Sequence, residues 1–179
     1  MASAFRVIKR KLIFSKGPIR LLDCDIRMPG GRKLSRQVLG RTDAVVILPR
    51  IEKDRFILIR QFRFATGRWI WEFPAGGVDR GESLAAAARR ELIEEVSRRP
   101  CKLTKLISYY PTPGVSGEVM HLYLAEKLVP ATAEKDEDEE LEVHEFRLRE
   151  IGAMIRRGAI IDGKTVLGFY YLKERFGIA

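Results

Sequence analysis

At Ser83 the apolar pattern of this chain changes period. From Ser83 to Val96 the residues Leu84, Ala85, Ala88, Leu92 and Val96 fall within one arc of a helical wheel. Alanine-rich, high-propensity residues fill the gaps and Ser83 offers an N-cap hydroxyl, so a helix is predicted over 83–96. The segments before it are strand-like. Phe5–Phe14 and Ile19–Met28 carry β-branched and large apolar residues at loose alternation, and Pro29-Gly30-Gly31 signals a turn. Ala44–Pro49 and Phe56–Gln61, separated by the charged Glu52-Lys53-Asp54-Arg55, predict a hairpin, and Trp69–Phe73 another short strand. Strand signals return at Leu103–Tyr110, Val119–Leu128 and Leu141–Leu148. Two helices close the chain, about Leu148–Arg157 and Thr165–Phe176, with Gly158 as a stop and Asp162 as a cap. The expected class is α+β: a mixed central sheet flanked by helices in an α/β/α sandwich over residues 42–179, preceded by an antiparallel N-terminal β-sheet subdomain over 1–41.

Composition removes whole classes of function. The 179 residues, 46% hydrophobic and 32% charged, suffice for a hydrophobic core and exclude collagen-like, low-complexity and wholly disordered chains. Apolar runs such as Ala44–Leu48 are far shorter than the roughly 20 residues that span a bilayer, and Met1–Ser15 is interrupted by Arg6, Lys9, Arg10 and Lys11. No membrane partner and no signal peptide are expected. Two widely separated cysteines, Cys24 and Cys101, point to a reducing compartment, the cytoplasm. The net charge of +9 raises nucleic acid or a phosphorylated small molecule as partner. Eight of the 24 acids lie in Glu134–Glu145, however, so a polyanion would meet repulsion there. The basic residues Arg32, Lys33, Arg36, Arg41, Arg60 and Arg63 do not alternate with aromatics as a base-stacking surface would. That argues against nucleic acid.

The chemistry is concentrated in the predicted helix. Glu91 and Glu95 are one turn apart on one face, with Glu94 beside them. Near a helix C-terminus the dipole adds to their mutual repulsion, and hard oxygen ligands at this spacing suit Mg2+, with Mn2+ as an alternative. An acidic helix face alone is ordinarily a solvated surface. Here it belongs to a longer pattern: Gly76, five residues, Glu82, seven residues, then Arg90-Glu91-Leu92-Ile93-Glu94-Glu95.

That pattern resembles the signature of the Nudix hydrolase superfamily, position for position, except that Ser97 and Arg98 stand where the family usually has Gly and an apolar residue. The resemblance implies a Nudix fold, with Glu91 and Glu95 as principal metal ligands, Glu94 auxiliary, the Ala75 carbonyl a further ligand, and Glu82 with Arg90 a structural ion pair. It extends over most of residues 40–175. Ile59-Arg60-Gln61-Phe62-Arg63, Trp71-Glu72-Phe73-Pro74-Ala75-Gly76 and Pro113-Gly114-Val115-Ser116-Gly117-Glu118 resemble the branch that hydrolyses ADP-ribose and other nucleoside-diphosphate sugars. By that resemblance Arg63 meets a phosphate and Glu72 the substrate, and Arg41, Gly114 and Glu118 join the substrate-binding set. The acidic run 135–143 resembles the branch's loop that supplies a glutamate acting on water; Glu139 is the expected residue, with Glu137 and Glu140 as alternatives.

The implied reaction is Mg2+-dependent hydrolysis of the diphosphate of a nucleoside-diphosphate sugar, giving a nucleoside monophosphate and a sugar phosphate. Glu95, as a ligand, and Glu139, at the water, are the expected catalytic residues. Ile161-Asp162-Gly163-Lys164-Thr165 is similar to GDP-mannose-type members and Glu-Phe-Pro-Ala-Gly to ADP-ribose members. The N-terminal strands resemble a sheet exchanged between subunits, which implies a homodimer; Arg36 stands near the position where some members stack an aromatic on adenine. Two other readings remain at this point: a Nudix hydrolase of RNA 5′ ends or free nucleotides, and a non-catalytic nucleotide-binding module. His121 and His144 sit in strand contexts with no nucleophile elbow nearby.

Overall fold

The structure is a computed structural model that describes residues 5–132 and 140–177. The chain divides into two compact units, Met1–Asp43 with Tyr110–Val119, and Ala44–Tyr109 with Met120–Ala179. Among the described residues no helix is long and apolar enough to cross a membrane.

The first unit is a three-stranded antiparallel sheet of β1 (Arg6–Lys16), β2 (Ile19–Arg27) and β3 (Lys33–Gly40) in that order. Within β1, Val7, Leu12 and Phe14 are 49–53% exposed, so the strand buries little in the single chain. A split at residue 41 leaves out Tyr110–Val119, which the structure gathers into this unit. The Leu39 N–H donates to the Val115 carbonyl at 2.8 Å and Leu39 bridges Ser116 in parallel.

The second unit holds a mixed seven-stranded sheet. Its strands are β4 (Ala44–Glu52), β5 (Arg55–Arg63), β6 (Arg68–Glu72), β7 (Ala75–Gly77), β8 (Arg98–Tyr109), β9 (Met120–Pro130) and β10 (Leu141–Arg147). The main path runs β10-β5-β4-β9-β8; β6 pairs with β5 and β7 with β4. β4 and β9 are parallel, Ala44 facing Met120 and Pro49 facing Ala125, and the other pairs are antiparallel. The central strands read as continuous apolar runs because both faces are covered. Successive side chains alternate faces. Val45, Ile47, Ile57, Ile59, Tyr123 and Ala125 meet Ala87, Ala88, Leu92 and Val96 of α1 (Leu84–Val96). Val46, Leu48, Phe56, Leu58, Leu122 and Leu124 meet Leu148, Ile151 and Met154 of α2 (Leu148–Arg156) and Phe169 and Leu172 of α3 (Gly163–Phe176). The result is an α/β/α sandwich with two cores.

The boundaries follow local chemistry. Ser83 caps α1, its hydroxyl accepting from the Ala86 N–H at 3.2 Å, and Asp162 caps α3 through the Thr165 N–H at 3.0 Å. Ala87 rather than Ala85 joins the buried stripe of α1, with Ala88, Leu92, Glu95 and Val96. Helix α1 ends at Ser97, which adopts left-handed φ 55° and ψ 38° while its N–H closes on the Ile93 carbonyl at 2.9 Å. β8 begins at Arg98, earlier than Leu103; Pro100 is tolerated because β8 is an edge strand.

Candidate active site

The carboxylates of α1 are organised from two sides. Arg90 serves the outer side: its Nε donates to Glu82 at 3.1 Å, Nη2 to Glu82 at 3.0 Å and to the Gly77 carbonyl at 2.9 Å, and Nη1 to Glu91 at 2.7 Å and Glu94 at 3.0 Å. The expected Glu82–Arg90 pair is therefore in hydrogen-bond contact, and the same guanidinium relieves the repulsion between Glu91 and Glu94. Hydrogen bonding to Glu82 raises the Arg90 pKa above its ordinary value against the opposing effect of burial. The Glu82 carboxyl is held low by Arg90. Glu82 also accepts from the Asp79 N–H at 3.2 Å, which ties the turn before α1 to the helix.

On the inner side lies the segment Glu72–Gly76, which leads from β6 into β7. Glu95, only 4% exposed, accepts from the Ala75 N–H at 3.0 Å. Gly76 lies so close to Glu91 that a Cβ at this position would overlap the Glu91 carboxylate. The Ala75–Gly76 backbone and two carboxylates one helical turn apart thus share one small space. Among the described residues no three His, Cys, Asp or Glu side chains stand converged as a finished metal cage. Glu91 and Glu94 are turned to Arg90, and Glu95 to a backbone N–H. The donor set itself is all oxygen, anionic and packed against backbone, which fits a hard divalent cation.

Glu72 anchors the start of that segment. It is 1% exposed and takes both Nε and Nη2 of Arg63 at 2.7 Å in a bidentate pair. It also takes the Lys164 ammonium, which lies 3.0 Å from Asp162. Burial pushes the Glu72 carboxyl up, but Arg63 and Lys164 outweigh it and hold it below its ordinary value. Arg63 is raised, chiefly by its hydrogen bond to Glu72, with Glu95 contributing charge. Its Nη1 has no protein hydrogen bond among the described residues and its side chain is 39% exposed. One step along, the Phe73 N–H donates to the buried Thr165 hydroxyl at 2.8 Å.

The remaining expected residues belong to other segments. Arg41 and Glu118 belong to the first unit and face each other at 3.3 Å, with Gly114 in the turn that Val115 and Ser116 close onto the Thr112 carbonyl. Arg36 is on β3 and donates to the Ser35 carbonyl. Glu139 and Glu137 fall outside the described residues; Glu140 is exposed immediately before β10. Sequence reasoning missed Lys164, Asp162 and Thr165 as parts of this cluster. Asp162 was legible as a helix cap, but contact with Glu72 and Phe73, some ninety positions away, leaves no periodic signal.

Residues 40–167 match the family model described as NUDIX domain. The chain belongs to the Nudix family. This Nudix chain is 34% identical over 170 residues to an ADP-ribose pyrophosphatase of Bacillus subtilis, covering 94% of this chain and 92% of the relative. It is 39% identical over 148 residues to a GDP-mannose pyrophosphatase of Citrobacter koseri, covering 76% of each. A solved structure described as an ADP compounds hydrolase superposes with a TM-score of 0.87 at 24% identity, covering 99% of this chain and 96% of that one, a likeness of fold.

Proposed function

We propose that this protein hydrolyses the diphosphate of a nucleoside-diphosphate sugar, of ADP-ribose or GDP-mannose type, releasing a nucleoside monophosphate and a sugar phosphate. The observation that carries the reading is the packing of Glu91 and Glu95 against the Ala75–Gly76 backbone, with Arg63 fixed beside them by Glu72. The names of the relatives that align over most of the chain support the substrate class.

Glu91, Glu95 and the Ala75 carbonyl, with Glu94 auxiliary, would hold Mg2+ or Mn2+. When bound, such a cation neutralises diphosphate oxygens and lowers the pKa of a water. Arg63 offers its Nη1 to a phosphate oxygen, because Glu72 holds the other two nitrogens and sets the plane of the guanidinium. In this arrangement Glu72 acts on substrate through Arg63. By the family resemblance Arg41, Gly114 and Glu118 are assigned to substrate binding, and Glu139 to accepting the proton of the attacking water.

The exposed apolar residues of β1 support a homodimer built through the N-terminal sheet. Two free thiols, Cys24 and Cys101, suit the cytoplasm. A hydrolysis panel with and without Mg2+ tests the reading, using ADP-ribose, GDP-mannose, other nucleotide sugars, free nucleotides and 5′-triphosphorylated RNA. Turnover confined to nucleotide sugars is expected. Turnover of RNA or free nucleotides alone would replace this substrate class, and binding without turnover would favour a silent module.

A further inference from the structure

The segment carrying the inner half of the site is tied down residue by residue. Glu72 is held by Arg63 and Lys164, the Pro74 carbonyl accepts from the Ile47 N–H at 2.8 Å, and the Ala75 N–H reaches Glu95. Phe73 hydrogen-bonds to α3, and its side chain belongs to the core that includes Val46, Leu48 and Phe56. Its N–H meets the Thr165 hydroxyl at 2.8 Å, and its ring lies where a Cβ on Gly168 would come within 3.3 Å, so the bare backbone of α3 presses directly on it. Both Phe73 and Thr165 are 0% exposed.

The direction of that hydroxyl is fixed. Thr165 Oγ1 also lies 2.6 Å from Asp162 Oδ2, and an ionised carboxylate only accepts, so the single hydroxyl proton goes to Asp162. The oxygen lone pairs are left to face the Phe73 N–H. The same Asp162 oxygen accepts the Thr165 N–H at 3.0 Å as the cap of α3. Helix capping and the grip on Phe73 are therefore separable: removing Oγ1 deletes the grip and keeps the cap.

We propose that Thr165, oriented by Asp162, is a positioning residue for the metal-binding carboxylates, acting from α3 through the 72–76 segment on Glu95 and Glu91. The inference rests on the reading of Glu91 and Glu95 as metal ligands. Without the hydroxyl the Phe73 N–H is buried with no acceptor, a cost that the segment relieves by shifting. Any shift there moves the Ala75 N–H from Glu95 and Gly76 from Glu91. Residues that orient metal ligands from behind typically change metal affinity by roughly ten- to a hundred-fold when altered. Thr165 is one backbone step further back, so the lower end of that range is expected.

The test compares Mn2+ binding by paramagnetic resonance with hydrolysis as a function of Mn2+ in wild type, Thr165→Val, Thr165→Ser and Glu95→Gln. Thr165→Val should weaken Mn2+ binding about ten-fold and raise the Mn2+ needed for half-maximal rate in parallel, with KM for substrate at saturating metal little changed. Thr165→Ser, which keeps the hydroxyl, should stay within about two-fold of wild type. A folded Thr165→Val with wild-type Mn2+ affinity, while Glu95→Gln binds poorly, overturns the proposal alone. A Glu95→Gln that binds Mn2+ like wild type overturns the underlying ligand assignment instead. If Thr165→Val does not fold, Thr165→Ala decides: it too removes the hydroxyl while Asp162 Oδ2 still accepts the N–H of residue 165 and keeps the cap. A loss of Mn2+ affinity like that expected of Thr165→Val supports the proposal, and unchanged affinity refutes it.

Discussion

Glu72→Gln should destabilise the protein far more than a typical surface charge change. The carboxylate serves three donors: Arg63 Nε and Nη2, each at 2.7 Å, and the Lys164 ammonium. A carboxamide offers one accepting oxygen and turns an NH2 toward a cation. Exposure decides how the loss divides. The Arg63 side chain is 39% exposed and recovers water, whereas that of Lys164 is 9% exposed and keeps only Asp162. Breaking a buried pair by removing one partner costs about 3–5 kcal/mol. The two partial recoveries place this case near ~3 kcal/mol, or a fall in Tm of about 6–12 °C for a domain of this size. Lys164→Met removes the stranded charge, so the double variant should recover at least about 1.5 kcal/mol relative to additivity. Urea unfolding followed by circular dichroism measures all four corners of the cycle. The sign with pH is fixed as well. Because the folded pKa of Glu72 lies below its unfolded value, its contribution is complete above roughly pH 4.3 and is lost as pH falls through the folded value. The gap between wild type and Glu72→Gln should therefore narrow in acid. A cost below about 1 kcal/mol, or strict additivity with Lys164→Met, would refute this account of the cluster.

Ser97→Gly should stabilise the protein by about 0.5–1 kcal/mol, because Ser97 is exposed, holds φ 55° at the end of α1 and carries a Cβ that this conformation penalises; a loss of stability in thermal melts would contradict that. Glu139→Gln should lower kcat by roughly 10²–10⁴-fold with little change in KM, and Glu137→Gln and Glu140→Gln should do far less. A large loss at Glu137 or Glu140 instead would move the base. Removal of residues 1–40 should give an aggregating or monomeric, inactive protein, and a soluble, active truncation or a monomer mass for the intact chain in sedimentation would count against the dimer.

Elements that advertise themselves by period and caps were legible before the fold was seen. The α1 stripe with Ser83 as cap and the hairpin of β4 and β5 follow from residue pattern alone, since each is a local arrangement. The carboxylate cluster of the candidate site was legible for the same reason, since Glu91, Glu94 and Glu95 occupy one helix; the Glu82–Arg90 pair came from the family resemblance. What stayed hidden was non-local. β7 is three residues long, two of them glycine, and becomes a strand only because Val45 and Val46 of β4 offer it an edge. Arg63 and Glu72 could be named separately as substrate contacts, but not seen as each other's partners. Lys164 and Thr165 look like an ordinary helix start until α3 is laid against Phe73.

The central claim is tested most directly by 31P NMR of ADP-ribose and GDP-mannose incubated with wild type and Glu95→Gln at saturating Mg2+. Wild type should convert at least one of them to a nucleoside monophosphate and a sugar phosphate, with the reaction stopped by EDTA. Glu95→Gln, whose Oε1 can still accept the Ala75 N–H and preserve the fold, should be slower by about 10³-fold, or ~4 kcal/mol in transition-state stabilisation. Near wild-type turnover by a folded Glu95→Gln, or wild-type turnover that persists in EDTA, would contradict it.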